Sequence, residues 1–275
     1  MVTLSKRFTR DNFSEILLAA GRKWSVGDGH DFNQNARAIV FAPHPDDEVL
    51  GCGGTITLKV MAGANVRVVV MTDGRTSHAK FVNAPTLIQM RRQEALKAAK
   101  HLGLEPSDYT FLDFEDHRLH EHISQARHHV VEMLEQSEPV QVFVPHRHDR
   151  LSDHVATFKI VVSALHVYNK KITLLEYPVW LWNTWPWTGS WHGEDSRMLR
   201  VPRLLRDGAE LTFGCNTRID IHPVLRHKVG ALAEYRSQMQ RQYNNPRWPI
   251  LSDVSGGAFL ARFLTDVEIF RRTEY

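Results

Sequence analysis

At 275 residues, with 43% hydrophobic and 24% charged side chains, the chain has ordinary globular composition and length enough for one large α/β domain. A net charge of +3, with Lys and Arg scattered among Asp and Glu, argues against a nucleic-acid-binding stripe. No run reaches the ~18 apolar residues of a bilayer span, and two cysteines, Cys52 and Cys215, cannot build a disulfide framework, so a cytoplasmic protein is expected.

The first segment, MVTLSKRFTRDNFSEILLAAGRKW, predicts a short amphipathic helix ending near Gly21. Its patch ILLAA falls short of the ~7–15 apolar residues of a signal peptide. A polar connector, VGDGHDFNQN, leads into RAIVFA, an apolar run of the kind found in strands buried on both faces. Residues 48–63 predict a helix weakened by the glycines of LGCGGT. Those glycines lack the spacing of a phosphate loop and read as tight packing against the first strand. NVRVVVMTDG is a second strand, and TLIQMRRQEALKAAKHLGL a helix closed by Gly103. DYTFLDF, SQARHHVVEMLEQSEP and VQVFVP follow as strand, helix and strand. The alternation predicts an α/β fold, a Rossmann-like parallel-sheet sandwich with helices on both faces. A core over 37–165 is expected to carry a C-terminal α+β extension, 166–275, packed on it within one domain. That extension holds strands in KITLLEYPVWLW and ELTFGCNTRIDI, a helix around HKVGALAEYRSQMQ, and a closing helix or strand.

Polar clusters fall at the strand ends: His44 to Glu48, Thr72 to Gly74, Asp113 to His117, and His146 to His154. Parallel sheets bind ligands there. In PHPDDE an imidazole and three consecutive carboxylates crowd the end of a buried strand, where they repel one another and lose solvation. A divalent cation makes that cluster favourable. Zinc takes His nitrogen and carboxylate oxygen, and catalytic sites use three protein ligands with a fourth position for water. His44 and Asp47 supply two. His154, in SDH after the fourth strand, is the best third, with His146 and His148 competing. Asp46, between two ligands, is placed to act as general base. The bland alternative is a surface turn with a helix-capping carboxylate.

With these residues in view the chain resembles the PIG-L/LmbE superfamily of zinc-dependent N-deacetylases. PHPDDE, VVVMTDG, Arg91-x-x-Glu94 before Leu102-Gly103, FLDFEDHRL, the later Asp153-His154 pair and KVGALAEYRSQ carry the likeness over roughly residues 37–240. The resemblance implies one zinc per chain on His44, Asp47 and His154, with Fe2+ suiting the same ligands. It implies Asp46 as general base, and Arg91 and Asp116 as contacts to sugar hydroxyls. The implied reaction removes an N-acetyl group from an N-acetylglucosamine-type conjugate by attack of a zinc-bound water. Two alternatives stand beside it: amidase action on another acyl-amine, and a degenerate deacetylase scaffold that binds a sugar or partner. One position departs from the pattern. The family often has His three residues before the last ligand, polarising the amide carbonyl, and here that residue is Leu151. The electrophile is then the cation itself, His148 or Arg150.

Five of the seven Trp residues lie at 180–191. They suit a sugar-stacking surface, a packed sheet face or an interface between copies of the chain. A membrane belt fits less well, because no basic amphipathic helix adjoins them. Arg91 and Glu94, at i and i+3, otherwise read as a surface ion pair, and Asp113 and Asp116 as helix caps. The histidines of HRLHEHI and RHH read as surface residues. Cys52 reads as a small core residue.

Overall fold

The computed structural model describes residues 32–184, 186–188 and 197–275. The expected N-terminal helix, Trp185 and Trp191 lie outside the described residues.

Strand β1 (Ala38–Ala42) is buried along its whole length, since helices cover both its faces. Ala38 and Val40 join one apolar cluster, and Ile39 and Phe41 the other. Helix α1 (Asp47–Met61), β2 (Val66–Thr72), α2 (Ala84–Leu102), β3 (Tyr109–Phe114), α3 (Ile123–Ser137), β4 (Gln141–Pro145), α4 (Ser152–Tyr168) and β5 (Thr173–Tyr177) complete a parallel βα array. After it come α5 (Arg197–Ala209), β6 (Thr217–Asp220), α6 (Leu225–Glu234), two single-turn helices, α7 (Arg236–Met239) and α8 (Ala258–Ala261), and β7 (Val267–Glu274). The seven-stranded sheet runs β3-β2-β1-β4-β5-β7-β6. Its first five strands are parallel, while β7 pairs antiparallel with both β5 and β6. The chain winds outward from β1 to β3 and then returns to β4, so the switch point lies between β1 and β4. Ligand crevices open there in doubly wound sheets.

Local chemistry explains the boundaries. Asn83 caps α2, its Oδ1 accepting from the Thr86 N–H at 3.0 Å, and Gly103 ends the helix in the left-handed region at φ 81°. Helix α1 is interrupted at Cys52 (φ −147°, ψ 21°), within the glycine-rich stretch. The glycines do pack tightly, but not against the first strand. A Cβ on Gly51 would sit 2.2 Å from the Tyr177 ring at the end of β5, and one on Gly54 2.7 Å from Ile221. Cys52 and Cys215 are free and buried.

The segment ELTFGCNTRIDI is not one strand. Glu210–Gly214 forms a π-type turn, with the Cys215 N–H donating to Glu210 O at 2.7 Å, and only Thr217–Asp220 joins the sheet. Basic residues do follow the Trp-rich segment, because α5 carries Arg197, Arg200, Arg203 and Arg206. No described helix is long and apolar enough to cross a membrane.

Candidate metal centre

Two loops at the switch point build the site. The first follows β1. Pro43 O accepts from both the N–H (3.0 Å) and the hydroxyl (2.8 Å) of Thr72, which ties the end of β1 to β2. The chain then turns through Asp46, whose φ of 127° is costly for a non-glycine residue. Glu48 holds that conformation: its Oε2 accepts from the Asp46 N–H at 3.1 Å, while Oε1 receives hydrogen bonds from the Tyr235 and Tyr109 hydroxyls. Asp47, the first residue of α1, folds its carboxylate back to accept from the His44 N–H at 3.0 Å.

The second loop follows β4 and ends in α4, whose first turn carries Asp153 and His154. His154 is fully buried, and its Nδ1 lies 2.9 Å from Asp149 Oδ2. That carboxylate also accepts from the Val179 N–H. Asp149 therefore fixes the tautomer: the neutral ring carries its proton on Nδ1 and turns the Nε2 lone pair inward.

His44, Asp47 and His154 converge, with ligand atoms all within 4.8 Å of one another. Asp47 Oδ2 stands 3.1 Å from His44 Nδ1 and 3.2 Å from His154 Nε2. The other nitrogen of His44 faces Asp116 Oδ1 at 3.2 Å and Asp153 Oδ2 at 3.4 Å. His44, Asp116 and Asp153 thus form a second group of ligand-type atoms around the same ring.

These residues fit a cation. His154 Nε2 is buried and makes no hydrogen bond, so a lone pair faces a carboxylate oxygen. Only a proton or a metal ion makes that contact favourable. The surrounding groups have the outer-shell arrangement that orients metal ligands: Asp149 behind His154, and Asp116 and Asp153 behind His44.

Without metal the cluster must hold protons. Burial opposes charge on His154, but Asp47 and Asp149 outweigh it and push the imidazole up to about 9. For His44 burial is likewise outweighed, by Asp116, Asp153 and Asp47, and the ring is held well above its ordinary value. Asp47 lies far below the usual carboxylate range despite its burial, because His154 and His44 stabilise its charge. Groups protonated below a raised pKa must lose those protons to bind metal, so affinity falls as pH falls. Calorimetry in buffers of different ionisation enthalpy is expected to detect about one or more protons released per ion near neutral pH. Release of none would remove His154 from the ligand set. Asp149→Asn is expected to weaken metal affinity by about 10–100-fold in a competition titration.

Asp46 borders the cluster. Burial is the main cause that raises its carboxyl to about 7; Arg91 opposes the shift and Asp47 adds to it. Arg91 is not a surface partner of Glu94. It is buried, lies 3.0 Å from Asp46 Oδ2 and donates to Pro45 O. Gly74, at φ 66°, makes room for it: a Cβ there would meet the Arg91 side chain at 3.1 Å. Glu94 accepts instead from the N–H (2.7 Å) and hydroxyl (2.6 Å) of Ser237.

A cleft of about 520 Å3 opens over the cluster. Leu50, Leu151, Trp180 and Leu251 give it apolar surface, while Thr76, Arg91, Asp116, His117 and Gln238 give it polar surface. Trp180 stacks on Phe259, with ring centroids 4.7 Å apart, whereas Trp182 and Trp187 pack edge-on in the core. The described tryptophans of that segment therefore divide between cleft wall and core.

Several expectations are corrected. His146 and His148 are absent from both ligand groups among the described residues. His146 Nδ1 accepts from the His148 N–H, which leaves the proton of the neutral ring on Nε2, facing Glu210. His148 also faces Glu210, and Arg150 pairs with Asp207 at 2.9 Å; neither lines the cleft. Asp113 lies within β3 and pairs with Arg92, and Asp116 accepts from Thr76 rather than capping a helix. His117 is a surface residue, as expected, and its place on that surface is the cleft wall.

The PIG-L family model, described as GlcNAc-PI de-N-acetylase, matches residues 39–165, which hold both loops. A diacetylchitobiose deacetylase of Thermococcus kodakarensis is 29% identical over 136 residues, 49% of this chain and 50% of its own length. The match thus spans half of that relative. A probable N-acetyl-alpha-D-glucosaminyl L-malate deacetylase 2 of Bacillus subtilis is 26% identical over 210 residues, covering 74% of this chain and 83% of its own. Among solved structures, the N,N'-diacetylchitobiose deacetylase of Pyrococcus horikoshii superposes with a TM-score of 0.61 at 20% identity, over 98% of this chain and 95% of its own. At that identity the likeness establishes the fold. The matched segment includes His44, Asp46, Asp47, Asp149, Asp153 and His154; Trp180, Gln238 and Leu251 of the cleft come from beyond it.

Proposed function

We propose that this protein hydrolyses the N-acetyl group of an N-acetylglucosamine-type conjugate, using one divalent cation, zinc or Fe2+, held by His44, Asp47 and His154. The observation that carries this reading is the buried, unpartnered Nε2 of His154 facing Asp47 beside Asp46 at the floor of an open cleft. The names of the two curated relatives supply the substrate class.

When bound, such a cation supplies Lewis acidity, which acidifies a water and stabilises negative charge on oxygen. The chain does the rest. Asp149 keeps His154 in the tautomer that presents Nε2, and Asp116 and Asp153 hold His44 from the far side of its ring. Asp46 takes the proton of the attacking water. Arg91 pins that carboxylate through Oδ2, and Asp46 lines the cleft. Trp180 offers a flat apolar face suited to a pyranose ring. Arg91 and Asp116 reach the cleft wall, where Arg91 pairs with Asp46 and one oxygen of Asp116 accepts from Thr76. Their main task in this reading is to position Asp46 and His44, with sugar contact secondary.

The test is acetate release, with parallel detection of free amine, from a panel of N-acetylglucosaminyl compounds by zinc-loaded protein. Release is expected from at least one member and is abolished by a chelator. Binding without hydrolysis across the panel would support the scaffold reading, and amine release only from non-sugar acyl-amines would support the amidase one.

A further inference from the structure

The cleft contains one imidazole outside the metal cluster, that of His117. It sits in the loop after β3 and is exposed, but its backbone is firmly tied. The His117 N–H donates to Asp153 Oδ2 at 2.6 Å, and the same oxygen lies 3.4 Å from His44 Nε2. The residue adopts φ 68°, a left-handed conformation that is costly for a residue carrying a β-carbon and persists only where its surroundings impose it. Asp153, held at the start of α4, provides that constraint. The loop is thereby fixed to the outer shell of the metal cluster.

The ring itself has no hydrogen bond or ion pair with any described residue. Its polar neighbours in the cleft wall are engaged. Thr76 Oγ1 donates to Asp116 at 2.6 Å, Arg91 pairs with Asp46, Ser77 Oγ donates to Gly74 O, and the Gln238 amide donates to Ser237 Oγ at 3.2 Å. A side chain held in place at its backbone and unpartnered at its tip, in a cleft, is arranged to meet a ligand.

Amide hydrolysis asks for such a group. An amine cannot leave as its anion, so the nitrogen must be protonated as the C–N bond breaks. Asp46 is buried and paired with Arg91, whereas His117 reaches solvent and can be recharged from it.

We propose that His117 is the general acid of this site, donating a proton to the amide nitrogen of the substrate. The inference rests on the deacetylase reading. Water gives a proton to Asp46 and its oxygen bonds to the carbonyl carbon. On collapse, the C–N bonding pair goes to nitrogen, which takes the proton of the His117 imidazolium. Acetic acid and a neutral amine leave, the acid then ionising to acetate in solvent, and the proton on Asp46 returns through solvent to the imidazole.

The test compares His117→Gln with wild type, both zinc-loaded, on an N-acetylglucosamine conjugate and on the isostere carrying a 2-O-acetyl ester. An alkoxide leaves far more readily than an amide anion, so the ester needs the acid less. The variant is expected to lose about 10²–10³-fold in kcat on the amide with little change in KM, and less than about tenfold on the ester. The 15N isotope effect on the amide reaction should rise, because C–N cleavage becomes limiting. Retention of kcat within about threefold would overturn the inference, as would equal losses on both substrates with an unchanged 15N effect. If wild type cleaves only the amide, the 15N effect decides. Absence of acetate release by wild type from both compounds would overturn the deacetylase reading itself.

Discussion

Asp46→Asn is expected to lower kcat by about 10²–10⁴-fold while metal content stays at one ion per chain. Asparagine keeps the size of the side chain and an oxygen for Arg91, so the loop and its neighbours need not move. It removes the one property assigned to Asp46, a carboxylate that accepts a proton. The direction of the pH effect follows from the same group. In the metal-free protein burial holds Asp46 at about 7, and the positive charge of a bound ion moves it lower. Wild-type kcat/KM should therefore fall on the acid side, at a pH below about 7, as the base takes up its proton. The residual rate of Asp46→Asn should lack that limb. Steady-state kinetics across pH, with metal analysis of each preparation, checks both statements. A variant that loses metal would place Asp46 among the ligands, and one with full activity would move the base elsewhere, Asp153 being next in the geometry.

Sequence made the parallel half of the fold legible because burial on both faces writes itself as apolar runs: AIVFA and VRVVVMT need no tertiary information to be read as central strands. The C-terminal half was harder for a physical reason. The β-prone residues of ELTFG curl into a π-type turn because Glu210 is held in place. Its carboxylate meets Arg271 and His146, and its carbonyl accepts from Cys215. Interactions from distant parts of the chain there outweigh local propensity.

The metal trio was legible for a similar reason. PHPDDE concentrates charge beside a buried strand, an anomaly visible without neighbours. The groups behind it were not. Asp149 and Asp153 look like ordinary loop and first-turn carboxylates until β4 and α4 bring them against His154 and His44. Arg91 and Glu94 share a helix face and read as a pair, yet each is claimed by another element, Asp46 and Ser237 respectively. His117 was hidden among five histidines between 117 and 129, and what separates it is a backbone conformation that sequence does not declare.

Glu268→Ala should cost about 3–5 kcal/mol of unfolding free energy, the range for stripping one partner from a buried ion pair. Glu268 lies on β7, far in sequence from the metal loops, but it repairs the break in the helix that carries Asp47. Where α1 kinks at Cys52, the helix leaves donors and acceptors unpaired. Glu268 accepts from the Gly54 N–H and the Thr55 N–H, both at 2.8 Å, and from the Thr55 hydroxyl at 2.6 Å. Lys228 of α6 donates to Leu50 O at 2.9 Å and to Glu268 at 2.7 Å, closing the other side of the kink. Both residues are almost wholly buried, so alanine at 268 leaves Lys228 without its counter-charge and three other donors without an acceptor. Glu268→Gln, which keeps an acceptor oxygen, should lose less. Urea unfolding followed by circular dichroism measures the difference, with an unchanged slope marking a loss of stability rather than of compactness. Because Asp47 and Glu48 sit on the turn just before the kink, metal affinity should weaken alongside stability in Glu268→Ala. A loss below about 1 kcal/mol would mean that water enters to satisfy the kink, and that the first turn of α1 is held by the metal loops alone.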